Sequence, residues 1–212
     1  MSAQSTILLA ILLPLAGAVG IALAGRVSAN ARETVTLVTA GGLALTVWSL
    51  LPSVMAGGRP AVTVTELLPG VELAFRVEPL GMLFAALASG LWIVNSLYSI
   101  GYMRGNNEKH QTRFYVMFAV SLAATMGVAF AGNLITLFLF YEMPTLSTYP
   151  LVSHKGDANT VRSARVYLGI LLTTSIGLFL PAIIWTYTVA GGGDFVAGGI
   201  LAGHVEGPAI GL

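Results

Sequence analysis

One acidic side chain, Glu142, lies in the middle of an apolar stretch, where a carboxyl group could relay protons or bind a cation. It is the single charged residue of Leu134–Val152 and stands nine residues into it. An ionised carboxylate in hydrocarbon costs several kcal/mol, so this group must be neutral, paired or in contact with water. We therefore expect Glu142 to act in proton or ion translocation.

The residues around Glu142 could hold water beside its carboxyl group. Thr145 and Tyr149 follow it at i+3 and i+7 and would share its helix face, and Tyr141 precedes it. Pro144 breaks a backbone hydrogen bond in the same turn and leaves a carbonyl oxygen free. A structural alternative is that Glu142 stays protonated and joins two helices by a hydrogen bond.

Two further ionisable residues, His154 and Lys155, follow at the end of the same stretch and could deliver protons towards Glu142. A basic loop that obeys the topology rule explains Lys155 equally well. The three histidines show no metal-ligand spacing, and the absence of cysteine excludes disulfides, thiolate metal centres and a cysteine nucleophile. We predict no metal, no cofactor and no catalytic site of the chain's own.

The composition indicates that these residues lie within a membrane. Of the 212 residues, 56% are hydrophobic and only 9% are charged, whereas a soluble domain carries about 25% charged residues. The mean hydropathy is +0.84. Ten basic and nine acidic residues give a net charge of +1, which excludes an extended basic face for nucleic acid.

Gaps between the charges predict an all-α integral membrane protein with six spans in a single membrane domain, residues 1–212. The 40 residues 114–153 contain only Glu142 as a charge. They would form about 60 Å of helix, twice the membrane thickness, so we expect a hairpin that turns at Ala131-Gly132-Asn133. The predicted spans are 7–25, 34–54, 80–103, 114–131, 134–152 and 165–190.

The basic residues predict the orientation of the spans. Loops after the first, third and fifth spans hold eight of the ten, namely Arg26, Arg32, Arg104, Lys109, Arg113, Lys155, Arg162 and Arg165. This places those loops in the cytoplasm and both termini, including the tail 191–212, on the outer or periplasmic side of the cell (inner) membrane. The first span resembles a signal peptide at Ala22-Leu23-Ala24, but it lacks a basic n-region, which favours a retained helix.

One segment outside the membrane has strand-like alternation. Residues 61–78 alternate Val and Thr before Pro69-Gly70, and apolar with charged residues after it. This pattern predicts a small β-hairpin on the outer face. The alternative is an irregular connector with the same composition.

Three motifs resemble the antiporter-like membrane subunits. These comprise the proton-pumping subunits of respiratory complex I, the large subunits of Mrp-type cation/proton antiporters and the ion-pumping subunits of membrane-bound hydrogenases. The similar segments are Glu78–Met103, Arg113–Tyr115 and Asn133–His154, the last with Phe-Tyr-Glu followed by Leu-Ser-Thr-Tyr-Pro-Leu-Val. The resemblance is to the N-terminal part of the family and is nearest to the D-type large subunits of Mrp antiporters.

The resemblance implies that Glu142 corresponds to the essential fifth-span glutamate, which partners a lysine on the family's seventh span. None of the six predicted spans contains a lysine at mid-membrane depth. We therefore expect a proton- or Na+/H+-translocating subunit of a multisubunit complex, surrounded by membrane lipid, with other hydrophobic subunits supplying the lysine half. A redox reaction of the NADH dehydrogenase or hydrogenase kind could drive it. The alternative is a structural subunit that anchors a membrane redox or antiporter complex without transporting ions.

Overall fold

A computed structural model of the chain describes residues 2–205. Helices dominate this part of the chain, and a single hairpin of two strands interrupts them. The elements are α1 (Ala3–Ala24), α2 (Ala29–Trp48), α3 (Leu51–Met55), β1 (Ala61–Leu68), β2 (Val71–Arg76), α4 (Pro79–Gly105), α5 (Gln111–Ala129), α6 (Leu134–Val152), α7 (Ala158–Thr174), a π-helical turn (Ser175–Phe179) and α8 (Leu180–Ala190).

Within residues 2–205, five helical stretches are long and apolar enough to cross a membrane: Ala3–Ala24, Ala29–Met55, Pro79–Gly105, Gln111–Ala129 and Ala158–Ala190. α6 has 19 residues and carries Glu142, two prolines and several hydroxyl groups. It packs along α5, antiparallel to it, and also contacts α7. The predicted all-α, multi-pass membrane fold is confirmed.

Two of the helical stretches begin five or more residues before the predicted spans. α2 begins at Ala29, five residues before the predicted start at 34, because the Ser28 side chain accepts a hydrogen bond from the Ala31 N–H and caps the helix. The last helical stretch begins at Ala158, where Asp157 provides the same cap for Thr160. These two predicted spans begin at or after the last charged residue of the preceding loop, so they leave out the first turns of α2 and α7, which contain charged residues.

Small residues let the helices approach closely. α1 packs between α2 and α5, and α5 also packs on α4. A Cβ atom on Gly81 of α4 would collide with the Ala129 carbonyl oxygen of α5, and one on Gly127 would enter the Phe140 ring of α6. Larger side chains fill the remaining core, including Ile7, Leu43 and Phe130, all 0% exposed.

The predicted β-hairpin is also confirmed. β1 and β2 pair antiparallel, and Gly70 supplies the positive φ of the turn between them. The Arg76 N–H donates to the Phe130 carbonyl at 2.7 Å, and the Gly132 N–H donates to the Ala74 carbonyl at 2.9 Å. The hairpin is thereby fixed to the α5–α6 turn. We call this end of the helices the hairpin end and the opposite end, where α5 begins and α6 finishes, the basic end.

Candidate functional site

Glu142 lies in the middle of α6 and is half-buried. Its Oε1 atom is buried and, among residues 2–205, has no hydrogen-bond partner. The ion pairs found in this part of the chain involve Arg32, Glu33, Arg59, Glu78 and Arg104, so Glu142 has no cationic side chain within 4.0 Å there. A buried carboxyl oxygen without a partner is uncommon in proteins and is the structural reason to single out this residue.

The three polar residues predicted to support Glu142 lie along α6 and do not converge on its carboxyl group. The Tyr141 ring is 43% exposed and packs edge-on against Phe179 of the π-helical turn, with ring centres 5.8 Å apart. Thr145 is buried, and its hydroxyl donates to the Tyr141 carbonyl at 3.3 Å. Tyr149 is half-buried, and its carbonyl accepts from the Ser153 hydroxyl at 2.8 Å.

A cavity of about 330 Å³ lies beside this stretch of α6, between α4, α5, α6 and α7. This volume is large enough for several water molecules, although most of the lining is apolar. Its polar lining comes from both α5 and α6, and α7 contributes one tyrosine. These polar residues are Thr125, Tyr141, Thr145, Thr148 and Tyr167.

At the basic end of α6, His154 is half-buried, and its two ring nitrogens are buried without hydrogen-bond partners in the described chain. Its ring meets Phe114 edge-on at 5.8 Å, and its carbonyl accepts from Arg113 at 3.1 Å. Burial first, and then the nearby Arg113 charge, lower the pKa of His154 below its ordinary value. Lys155 is exposed to solvent. No group of three or more His, Asp or Glu side chains assembles within residues 2–205 to hold a metal.

The structure also contains a buried ion cluster that includes Arg32 and Arg104, two arginines that the sequence pattern places in loops. Arg32 and Glu33 are the fourth and fifth residues of α2 and are only 6% and 5% exposed. Both Glu33 oxygens accept hydrogen bonds from Arg104 of α4, the Oε1 bond at 3.0 Å. Arg32 also contacts Glu33 Oε1, at 3.2 Å.

Two α5 residues complete this cluster. Arg32 donates to the Gln111 side chain at 2.7 Å, and its guanidinium stacks over the Tyr115 ring at 5.3 Å from the ring centre. The cluster joins the ends of α2, α4 and α5. The serine cap at Ser28 was the available sequence signal for it, because a helix that starts there carries Arg32 and Glu33 in its first turns.

Comparison with known sequences relates this site to a family. Residues 131–201, which include α6, match the family described as NADH:quinone oxidoreductase/Mrp antiporter, transmembrane. The chain is 33% identical over 98 residues to the A1 subunit of a Na(+)/H(+) antiporter from Staphylococcus aureus, covering 46% of this chain and 12% of that protein. It is 30% identical over 152 residues to a probable A/B subunit of a K(+)/H(+) antiporter from Rhizobium meliloti, covering 70% and 14%. The chain thus spans about an eighth of the length of these relatives.

Solved structures of membrane complexes share the fold. The membrane-bound sulfane sulfur reductase, an archaeal respiratory membrane complex, contains a chain that superposes with a TM-score of 0.74 at 16% identity, over 89% of this chain and 38% of that one. The Mrp complex from Dietzia sp. DQ12-45-1b contains one with a TM-score of 0.72 at 24% identity, over 96% and 21%. The sequence matches and the shared fold together confirm the predicted resemblance to the antiporter-like membrane subunit family.

Proposed function

We propose that this chain is a proton-translocating, antiporter-like subunit of a multisubunit membrane complex and that Glu142 is the group that takes up and releases the transported proton. The observation that carries the proposal is the buried Glu142 Oε1 atom, which has no partner among the described residues. A carboxyl group in that position changes its charge only if water or a cation reaches it from a cavity or a neighbouring helix.

The names of the relatives support cation/proton exchange as the reaction. The two relatives are named as components of Na(+)/H(+) and K(+)/H(+) antiporters. Since the chain spans only 12–14% of their length, the remainder of an ion path comes from other residues. We propose that a neighbouring chain or segment supplies a lysine that pairs with Glu142 when the glutamate is ionised.

The low burial of α7 and α8 supports a position for the lysine-bearing partner against these two helices. Only 11% of the apolar segment within Ala158–Ala190 is buried, against 28–39% in the other four stretches. α7 and α8 therefore expose an apolar surface, and both helices contact α6. A further helix packed on this surface would also lie close to Glu142. His154 and Lys155 would face the aqueous side from which Glu142 exchanges its proton.

The direct test is Glu142→Gln in the assembled complex, with ion-driven proton movement measured in inverted membrane vesicles. We expect transport to fall at least tenfold and Glu142→Asp to retain part of it. Glu78→Gln serves as the control, because Glu78 is a half-exposed carboxylate that pairs with Arg59 at the hairpin end. Unchanged transport in Glu142→Gln, with loss of the complex when the chain is deleted, would instead assign a structural role to the protein.

The proposed orientation puts the basic end in the cytoplasm and the hairpin end outside the cell (inner) membrane. Because the chain contains no cysteine, single cysteines can be introduced without further changes. Lys109 and Thr65 are exposed residues at the basic end and in β1. An impermeant thiol reagent added to intact cells should label Thr65→Cys and spare Lys109→Cys; the reverse pattern would contradict the orientation.

A further inference from the structure

Two ionisable side chains without partners among the described residues flank the second half of α6. Glu142 Oε1 lies at its middle, and the His154 ring lies just beyond its end. They are twelve residues apart, which corresponds to about 18 Å at the rise of an α-helix. This distance is too long for direct proton exchange, so any transfer between them needs polar groups in between.

A pair of serine hydroxyls occupies the interval. Ser147 of α6 is 6% exposed, and its Oγ atom lies 2.8 Å from the Oγ atom of Ser121 of α5. A hydroxyl group can donate one hydrogen bond and accept two, so either serine can donate to the other. Along α6, Ser147 stands about 7.5 Å from Glu142 and about 10 Å from His154.

The serine pair lies one helical turn from the cavity between α4, α5, α6 and α7. Thr125 lies one turn from Ser121 on α5, and its hydroxyl donates to the Ser121 carbonyl at 2.8 Å. Thr125 also lines the 330 Å³ cavity, together with Thr145 and Thr148 of α6. Water in this cavity would connect the serine pair to the turn that carries Glu142.

We propose that protons move between the basic end and Glu142 along the α5–α6 interface, through the Ser121–Ser147 hydroxyl pair and the cavity next to it. This inference rests on the proposed function of Glu142 and adds the identity of the ion on this route. In each step a serine Oγ accepts a proton from one side while the same hydroxyl releases its own proton to the next oxygen, so both serines end as neutral hydroxyl groups. The last acceptor is the Glu142 carboxylate, which becomes a neutral carboxyl group.

The same geometry disfavours a sodium or potassium ion on this route. The two oxygens are already in hydrogen-bond contact, so a cation between them would have to separate α5 from α6. The hydroxyls also engage their own helices, Ser121 with the Met117 carbonyl at 2.9 Å and Ser147 with the Pro144 carbonyl at 3.3 Å. Proton exchange needs only a reversal of these hydrogen bonds.

The test uses the whole complex in inverted vesicles and records the initial proton flux with a pH-sensitive dye. We expect Ser121→Ala combined with Ser147→Ala to lower the flux at least tenfold at an unchanged amount of assembled complex. Ser147→Thr keeps a hydroxyl and should retain most of the flux. Ser89→Ala is the matched control, since Ser89 is a fully buried serine of α4 whose hydroxyl donates within its own helix.

Normal flux in the assembled double variant would overturn the route. So would a Ser147→Thr variant that assembles fully but conducts as poorly as the double variant, because the hydroxyl would then have no role in transfer. A raised KM for sodium at unchanged maximal proton flux would assign the pair to the cation instead. If the double variant does not assemble, the single Ser147→Ala variant is judged by the same flux criterion. Glu142→Gln distinguishes the two proposals. If this variant transports protons normally, the proposed function is contradicted. If it loses proton flux while the serine double variant keeps it, only the route is contradicted.

Discussion

Replacing Glu33 by alanine tests whether the buried ion cluster stabilises the fold. Glu33 is 5% exposed, and its carboxylate contacts both Arg32 and Arg104. Without it, Arg32 stays buried at 6% exposure and keeps Gln111 and the Tyr115 ring as partners but loses its counter-charge. The protein would then contain an uncompensated buried cation.

The size of the effect follows from the burial of the Arg32–Glu33 pair, whose side chains are 8% and 7% exposed. Removing one partner of a buried ion pair costs about 3–5 kcal/mol, because the remaining charge has been taken out of water without compensation. At about 1.4 kcal/mol per tenfold change, the unfolded fraction should rise by about a hundred- to several-thousand-fold. Glu33→Gln keeps the volume and one acceptor oxygen, so we expect a smaller loss of stability than for Glu33→Ala.

The measurement is denaturant unfolding of the purified protein in detergent micelles, followed by tryptophan fluorescence. Trp92 of α4 is 2% exposed and should report the separation of the helices. Glu78→Ala is the matched control, because it breaks the Arg59–Glu78 pair at 2.9 Å, whose side chains are 40% and 47% exposed. An exposed pair of this kind contributes about 0–1 kcal/mol. If Glu33→Ala destabilises the protein no more than Glu78→Ala does, the cluster is not a stabilising element and the reasoning is wrong.

Three further predictions concern packing, capping and pH. Gly81→Ala should lower the unfolding midpoint, since the new methyl group meets the α5 backbone, whereas Gly101→Ala, with open space around it, should not; equal midpoints would refute the close approach. Asn133→Ala should cost about 2 kcal/mol in the same unfolding assay, because the α6 cap and a 2.8 Å bond to the Glu72 carbonyl are both lost, and Asn133→Asp should recover the cap alone. Because the pKa of His154 is lowered in the folded protein, stability should be fully present above about pH 6.5 and should decline as the pH falls below it; His154→Gln should flatten that decline in thermal unfolding.

The sequence was informative wherever a pattern is local. Alternation around Pro69-Gly70 predicted the hairpin, and the turn-type residues Ala131-Gly132-Asn133 predicted the break between α5 and α6. A lone acid in an apolar stretch singled out Glu142, because such a residue is expensive in a membrane whatever the fold.

Features that depend on distant contacts could not be predicted in this way. Glu33 and Arg104 are 71 residues apart in the chain, and nothing in either segment reveals that they pair. The Ser121–Ser147 contact depends on the register of α5 against α6, which the Gly127–Phe140 contact helps to set. The π-helical turn at Ser175–Phe179 has no local sequence signal, although it brings Phe179 against Tyr141.

The hydrogen bonds at the hairpin end have a consequence for the order in which the chain folds during synthesis. Three segments meet there, since Gly132 bonds to Ala74 while the Phe195 N–H donates to the Gly132 carbonyl at 3.2 Å. At the basic end, by contrast, the hydrogen bond between Arg113 and the His154 carbonyl can form once His154 has been made. Chains emerge from the ribosome N-terminus first. The basic end can therefore close about 40 residues earlier than the hairpin end. A nascent chain halted between these two points would have its ion cluster assembled, while the α5–α6 turn would still lack its hydrogen bond to Phe195.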